Sequence, residues 1–195
     1  MGRGNRSGNG APVSPRSRRN SSPPSERASI YLLPKSAGRQ VRQTGDSIIA
    51  ALDTQRFVVR DNLYTIVPRE RSPDLGYLCA LLNSKLMTWF YRKIINPEEG
   101  EALAQVKRGH LAILPIIIPE QKNLSQWATY ISLTELANQI HSLKLTKRAA
   151  RTPTQVTMLE DQENALEDQI DQLVFTLYGL AVDEIELVTG KAARA

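Results

Sequence analysis

The sequence predicts a mixed α+β fold, in which a small mixed sheet and a central helix are followed by a helical hairpin. A short apolar run at 30–34 is typical of a strand. Apolar residues then recur at helical spacing over 75–94, and two longer helical patterns follow residue 120. These patterns divide the chain into a basic tail (1–28), an α+β domain (29–120) and a helical scaffold or docking segment (121–195).

The tail is predicted to be disordered. Residues 1–28 are rich in Gly, Ser, Asn, Pro and Arg, and Val13 is their only sizeable apolar residue after Met1. Such a segment cannot bury enough apolar surface to offset the entropy that folding costs. It lacks the apolar core of a secretory signal. Its six arginines and one glutamate suit either nonspecific phosphate binding or a solvated tail.

Three further strands are predicted in the α+β domain. Two of them, at 57–59 and 63–67, lie on either side of a polar turn, after a basic segment at 35–46. The third is the run LAILPIIIP at 111–119. Because this run is continuously apolar, it is expected in the core of the sheet, with Pro115 at a bulge or an edge.

The central helix is predicted at 75–94, after the start signal Ser72-Pro73-Asp74, in which Ser72 supplies the capping side chain. Its apolar positions form one core face, made of Leu75, Leu78, Cys79, Leu82, Leu86, Trp89, Phe90 and Ile94. The chain has one cysteine, so no disulfide forms within it. We interpret Cys79 as a core residue of a cytoplasmic protein.

Charged residues follow the helix. Tyr91-Arg92-Lys93 places two cations at its negative end. The next residues, Asn96-Pro97-Glu98-Glu99, are typical of a second helix start, with Asn96 as its cap. A carboxylate metal site at Glu98, Glu99 and Glu101 is the alternative, although no histidine or further acid lies nearby in sequence.

Several of these features occur together in one known family. The segment LLNSKLMTWFYRKIINPEEGEALAQVK, followed by LAILPIIIP, resembles the TaqI-like C-terminal specificity domain of adenine-specific DNA methyltransferases and type IIG restriction-modification enzymes. More loosely, it is similar to the target-recognition domains of type I specificity subunits. With a strand at 60–68 and a helix at 170–180, the resemblance extends over about 31–188. It implies a DNA sequence reader that works with an adenine methyltransferase domain.

The charge distribution favours DNA contact by the first half of the folded chain. Residues 29–110 hold 12 Lys and Arg against 8 Asp and Glu, and residues 111–195 hold 7 against 11. Arginine forks read guanine and hold phosphates. The candidate DNA contacts are Lys35, Arg39, Arg42, Arg56, Arg60, Arg92, Lys93, Lys107 and Arg108. The alternative for each is an exposed charge that keeps the domain soluble.

The helical segment is predicted to be an antiparallel hairpin. Its first helix should end near Thr152-Pro153 and its second near Gly179, and Asp183 should cap a short final helix. The acids of the second helix are expected on its outer side, where they would disfavour DNA contact: Glu160, Asp161, Glu163, Glu167, Asp168 and Asp171.

Catalytic signatures are missing from the sequence. There is no glycine-rich loop after a strand for S-adenosylmethionine, and Ser22-Pro23-Pro24-Ser25 has serine where the resembled methyltransferases have an aromatic residue. His110 and His141 have no ligand partners at metal-site spacing, and we interpret His110 as structural. We expect no catalysis, cofactor, metal or membrane contact on this chain alone.

Two functional hypotheses follow. In the first, the chain is the double-stranded DNA recognition module of a methyltransferase domain or subunit, which would hold the S-adenosylmethionine. In the second, it is a non-catalytic remnant or an assembly protein that uses its helical hairpin.

Overall fold

The computed structural model describes residue 1 and residues 29–32, 48–55, 64–95 and 108–190. Central helices lie between a three-stranded sheet on one side and an antiparallel helical hairpin on the other. The predicted α+β class is confirmed. The tail, the basic segment 35–46 and the turn after Asn96 lie outside the described residues, and the division of the chain at residue 120 stays a prediction.

The sheet contains β1 (Ser29–Leu32), β2 (Ala50–Asp53) and β3 (Tyr64–Ile66) in the order β2-β1-β3, with both pairs antiparallel. In this register Leu32 lies opposite both Ala50 and Tyr64. The strands predicted at 30–34 and 63–67 are confirmed as β1 and β3. The strand predicted at 57–59 lies outside the described residues, and β2 was missed although it follows two isoleucines.

The central helix is broken where one continuous helix was predicted. It consists of α1 (Leu75–Asn83), α2 (Lys85–Phe90) and a π-helical segment (Tyr91–Ile95), with Ser84 extended between the first two. The Ser84 hydroxyl accepts from the Met87 N–H at 3.3 Å and donates to the Leu81 carbonyl at 2.7 Å. Ser84 therefore ends α1 and caps α2, which a helical pattern of apolar residues cannot reveal.

The start of α1 also differs from the prediction. Asp74 is the capping residue, because its carboxylate accepts from the Gly76 N–H at 2.7 Å. The Ser72 hydroxyl instead accepts from the Arg69 N–H at 2.8 Å, which closes the preceding turn. The structure thus gives the capping hydrogen bond to Asp74, which was predicted for Ser72.

Both sides of α1 are buried, whereas the sequence predicted one apolar face. Leu75, Cys79 and Leu82 pack in a cluster with the sheet. Tyr77, Ala80, Leu81 and Leu86 pack against the hairpin in a second cluster. Ile94 lies outside the core, with 58% of its surface exposed. A helix that is apolar on both sides must be covered on both sides, and α1 is the shared wall of the two clusters.

Asn83, in the LLNSKL motif, connects α1 to the sheet. Its side-chain oxygen accepts from the Ala50 N–H at 2.9 Å, and its side-chain nitrogen donates to the Ala50 carbonyl at 2.8 Å. Because β2 lies at the edge of the described sheet, these two bonds satisfy backbone groups that a further strand would otherwise pair.

The predicted strand at 111–119 is wrong. Residues 108–112 form the short helix α3 (Arg108–Ala112), and residues 113–119 pair with no strand among the described residues. Two tyrosine hydroxyls replace a strand as hydrogen-bond partner: Tyr77 donates to the Ile117 carbonyl and Tyr178 to the Pro115 carbonyl, each at 2.6 Å. The prolines explain the failure, since they lack the N–H that a central strand needs.

The helical hairpin is confirmed. It consists of α4 (Leu124–Ala149) and α5 (Pro153–Tyr178), and the short α6 (Val182–Thr189) follows. Gly179, with φ of 69°, ends α5 as predicted. The predicted cap of the last helix is wrong, because Asp183 lies in the first turn and the Glu184 carboxylate accepts from the Ala181 N–H at 2.8 Å. None of the described helices is long and apolar enough to cross a membrane.

The acids of α5 do not all lie on an outer side, which corrects the prediction. Asp171 is only 4% exposed, and its carboxylate accepts from the Lys85 backbone N–H at 2.8 Å and pairs with the Lys85 ammonium at 2.9 Å. Glu163 pairs with Lys144 at 3.0 Å and with Lys147 at 2.6 Å. The free N–H groups at the start of α2 need an acceptor, and Asp171 supplies it from another helix.

The pKa of the Glu163 carboxyl shows how strongly the two helices are paired at this point. Burial alone would raise this pKa, but the hydrogen bond from Lys147 and the charge of Lys144 outweigh burial and lower it. Glu163 therefore stays ionised at neutral pH and connects α5 to two positions on α4. These ion pairs fix the alignment of the two helices.

The single thiol provides a test of this packing. Cys79 is buried, and burial raises the pKa of its thiol to about 11. At pH 8 its thiolate fraction is then about 200-fold below that of an ordinary thiol of pKa about 8.5. We expect an aromatic disulfide reagent to label the native chain at least 100-fold more slowly than the chain in denaturant. Equal labelling rates would contradict the buried position of Cys79.

Candidate nucleic-acid interface

The candidate site begins where α2 changes into the π-helical segment. The Tyr91 N–H donates to the carbonyls of Met87 and Thr88, so the backbone changes its hydrogen-bond pattern at this residue. Arg92 and Lys93 follow in the last helical turn, as the sequence predicted. Cations at this position complement the negative end of the helix. Single π-helical turns are also frequent at functional sites in proteins.

A contact between Tyr91 and His110 brings a second cation-bearing element to this place. The Tyr91 ring is almost completely buried, its centroid lies 5.7 Å from that of His110, and its hydroxyl lies 3.3 Å from His110 Nδ1. His110 belongs to α3, which begins at Arg108. The contact therefore joins the end of the central helices to α3. His110 has the packing contact expected of a structural histidine.

The structure describes three of the nine predicted DNA contacts, and all three lie in the two elements that this contact joins. Arg92 is half-buried, whereas Lys93 and Arg108 are exposed. We name Tyr91, Arg92, Lys93, Arg108 and His110 the basic junction. Six predicted contacts lie outside the described residues: Lys35, Arg39, Arg42, Arg56, Arg60 and Lys107.

The helices that lead to the junction are held in place by two polar side chains, those of Lys85 and Asn83. Lys85 connects α2 to α5 through Asp171, with Asp168 as a second partner at 2.8 Å. Asn83 connects α1 to β2. The signal for both was present in the sequence: three polar residues, Asn83-Ser84-Lys85, interrupt an apolar helix. Their partners lie far away along the chain, so the sequence alone did not identify them.

A direct contact also connects the residues after the sheet strand β2 to the hairpin. The Thr54 hydroxyl lies 3.3 Å from His141 Nε2, which joins the residues after β2 to the middle of α4. His141 thus has a structural contact. The described residues contain no group of three or more potential metal ligands, and the predicted alternative at Glu98, Glu99 and Glu101 lies outside them.

The α+β part of this chain matches a known family. Residues 29–116 match the model of the TaqI-like C-terminal specificity domain. The resemblance found in the sequence is confirmed over these residues. The TaqI-like match includes the sheet, the central helices and the basic junction, and it ends before the hairpin, to which the predicted resemblance extended. No curated protein and no solved structure matches the chain.

The TaqI-like match defines the chemistry to expect of the basic junction. The match to a specificity domain of this family suggests a role in DNA recognition within a restriction-modification system. The domain family is non-catalytic by itself. Arg92 and Arg108 each carry a planar fork of N–H donors that fits a guanine edge or a phosphate. Lys93 carries a compact charge that suits phosphate as a point contact. Side chains of these kinds bind nucleic acid elsewhere through charge and through directed hydrogen bonds.

Proposed function

We propose that this chain reads the base sequence of double-stranded DNA for a restriction-modification adenine methyltransferase of the type IIG kind. The observation that carries the proposal is the match of residues 29–116 to a specificity domain. The basic junction supports it, because Arg92, Lys93 and Arg108 gather where two elements of that domain meet. The methyltransferase, with its S-adenosylmethionine, would be supplied by a separate domain or subunit in the cytoplasm.

The proposed reading of DNA divides between two kinds of contact. Contacts to phosphates supply affinity and fix the position of the protein on the duplex, while contacts to base edges supply specificity. Arg92 is half-buried, so its guanidinium is held more firmly than an exposed one and suits a directed contact with a phosphate or with a base edge. Lys93 and Arg108 are exposed and suit the backbone. The ion pairs of Asp171 and Glu163 with lysines hold α5 to α2 and to α4, so the packed part of the hairpin suits a supporting role.

The experiment that tests the proposal is selection of bound duplexes from a randomised DNA pool by the full chain, followed by sequencing. A second preparation carries glutamine at all six arginines of the tail, so that the tail cannot supply nonspecific affinity. Enrichment of the same short motif by both preparations is the expected result. If neither preparation enriches a motif at low salt, the chain does not read sequence by itself and the assembly or remnant hypothesis replaces this one.

Charge removal at the basic junction should lower the salt dependence of DNA binding. Four variants remove one charge each: Arg92→Gln, Lys93→Gln, Arg108→Gln and, at the preceding residue in the sequence, Lys107→Gln. We expect each variant to lower the slope of log affinity against log salt by about one. Titrations of a labelled duplex between low and moderate salt measure this slope. Lys122→Gln is the matched control, since Lys122 is an exposed lysine in the turn before α4. Slopes that equal the wild-type slope in all four variants would remove these residues from the interface.

A further inference from the structure

The hairpin extends beyond the part of the protein that supports it. The last buried residue of α4 is Ala137 and the first of α5 is Ile170, and no residue between them is buried. Contacts with the rest of the protein continue a little farther, because Ile140 packs against the second cluster, His141 contacts Thr54 and Asp168 pairs with Lys85. We name residues 142–166 the arm. Residues 142–149 of α4 extend about 12 Å beyond these contacts, at a rise of about 1.5 Å per residue.

The arm starts beside the TaqI-like match. His141 contacts Thr54, which follows β2 within the matched residues. Arg148 lies two helical turns farther along α4, which places it about 10 Å beyond this contact. The ion pairs of Lys144 and Lys147 with Glu163 hold α4 against α5 over the same stretch. The tip of the arm is therefore presented at a fixed place relative to the sheet.

The tip of the arm carries a small positive charge. Residues 144–163 contain four cations, Lys144, Lys147, Arg148 and Arg151, against three acids, Glu160, Asp161 and Glu163. The two lysines are paired with Glu163, and Lys147 also lies 3.9 Å from Glu160. Arg148 and Arg151 are exposed, and neither belongs to an ion pair of the described residues. Two guanidinium groups thus remain available at the end of the arm.

We propose that Arg148 and Arg151 bind backbone phosphates of the duplex outside the base sequence that the chain recognises. This inference rests on the proposed function, because the recognised duplex is the polyanion that this function brings to the protein. Guanidinium forks hold phosphate through paired hydrogen bonds. An arm of about 12 Å corresponds to between about three and four base pairs of duplex at about 3.4 Å per pair. The arm is a second DNA contact that adds affinity without reading bases.

A structural role for Arg148 is the competing explanation. Lys147 and Arg148 lie in the last turn of α4, where cations complement the negative end of the helix. That role predicts a small loss of stability and no dependence on DNA length. The phosphate contact predicts unchanged stability and a loss of binding that depends on DNA length. Thermal unfolding and binding to two duplexes, measured on one set of variants, therefore separate the two explanations.

The test uses the full chain with Arg148→Gln, Arg151→Gln and, as the control at the other end of the hairpin, Lys122→Gln. Binding is measured on the tightest duplex from the selection, in a long form with about ten flanking base pairs on each side and in a form trimmed to the motif. On the long duplex each arginine variant is expected to lower the salt slope by about one, and Lys122→Gln to leave it unchanged. On the trimmed duplex all variants should match the wild type, and Arg148→Lys should keep the wild-type slope on both.

Two results would overturn the inference while the proposed function remains. One is a wild-type slope for both arginine variants on the long duplex, which removes the arm from the DNA. The other is an equal loss on both duplexes, which places the arginines inside the recognised sequence. Failure of the wild-type chain to bind any duplex would overturn the proposed function itself, and this inference with it.

Discussion

Replacement of Leu81 with alanine is expected to lower the free energy of unfolding by about 3 kcal/mol. Leu81 is fully buried, in the cluster that α1 shares with the hairpin through Leu133, Val174 and Phe175. The loss combines the transfer free energy of the removed methyl groups with the cavity that rigid helices on both sides cannot close. Urea denaturation, followed by the fluorescence of the two tryptophans, measures the change.

The control for this substitution is Leu145→Ala. Leu145 is also a leucine in a long helix, but it lies on the arm and is 36% exposed. Its replacement should cost only about 1 kcal/mol, since about a third of the residue already contacts water and the arm can close around the smaller side chain. If the two variants lost similar stability, α1 would not be covered by the hairpin and the second cluster would be wrong.

Replacement of Asp171 with alanine is expected to lower the free energy of unfolding by about 2 kcal/mol. The substitution leaves the Lys85 backbone N–H at the start of α2 without its acceptor and removes the buried partner of the Lys85 ammonium. The lysine side chain is half-exposed, so its charge regains water and the cost stays below that of a fully buried pair. Asp171→Asn keeps an acceptor for the N–H and should lose about half as much.

Asp168→Asn is the matched control, because Asp168 pairs with the same ammonium at 2.8 Å but its side chain is 71% exposed. Exposed ion pairs contribute little, so a change below about 0.5 kcal/mol is expected. The difference between the stability losses at Asp171 and Asp168 measures what the hydrogen bond from the Lys85 backbone N–H contributes, apart from the ion pair. Equal losses at positions 168 and 171 would mean that charge attraction, and not the backbone hydrogen bond, holds α2 to the hairpin.

The failed strand at 111–119 shows one limit of reading a sequence. Its apolar continuity correctly predicted contact with the core, since Leu114 is buried and Ile116 packs against both clusters. The strand assignment required backbone partners, and the prolines reduce the number of N–H groups that can pair. Tyr77 and Tyr178 supply the donors instead. Both tyrosines are distant in sequence, so no local pattern identified them.

The basic junction shows the same division. Helix-end cations at Arg92 and Lys93 were identifiable from local spacing and the helix dipole. Arg108 belongs to the basic junction only because Tyr91 contacts His110. These two residues are separated in the sequence by a stretch outside the described residues. The two arginines of the arm were passed over, because the acids of α5 were assigned to an outer side and the pairing of Glu163 with Lys144 and Lys147 was not foreseen.

The sequence by itself determined the α+β class, the hairpin, the buried thiol and the family resemblance, because these depend on apolar spacing, local turn chemistry and a contiguous motif. Only the tertiary structure decided the break at Ser84, the inward position of Asp171 and the partners of residues 113–119. Each of these depends on a hydrogen-bond donor or acceptor supplied by a distant part of the chain. Backbone groups must be satisfied wherever they are buried, and the sequence does not state which distant group will satisfy them.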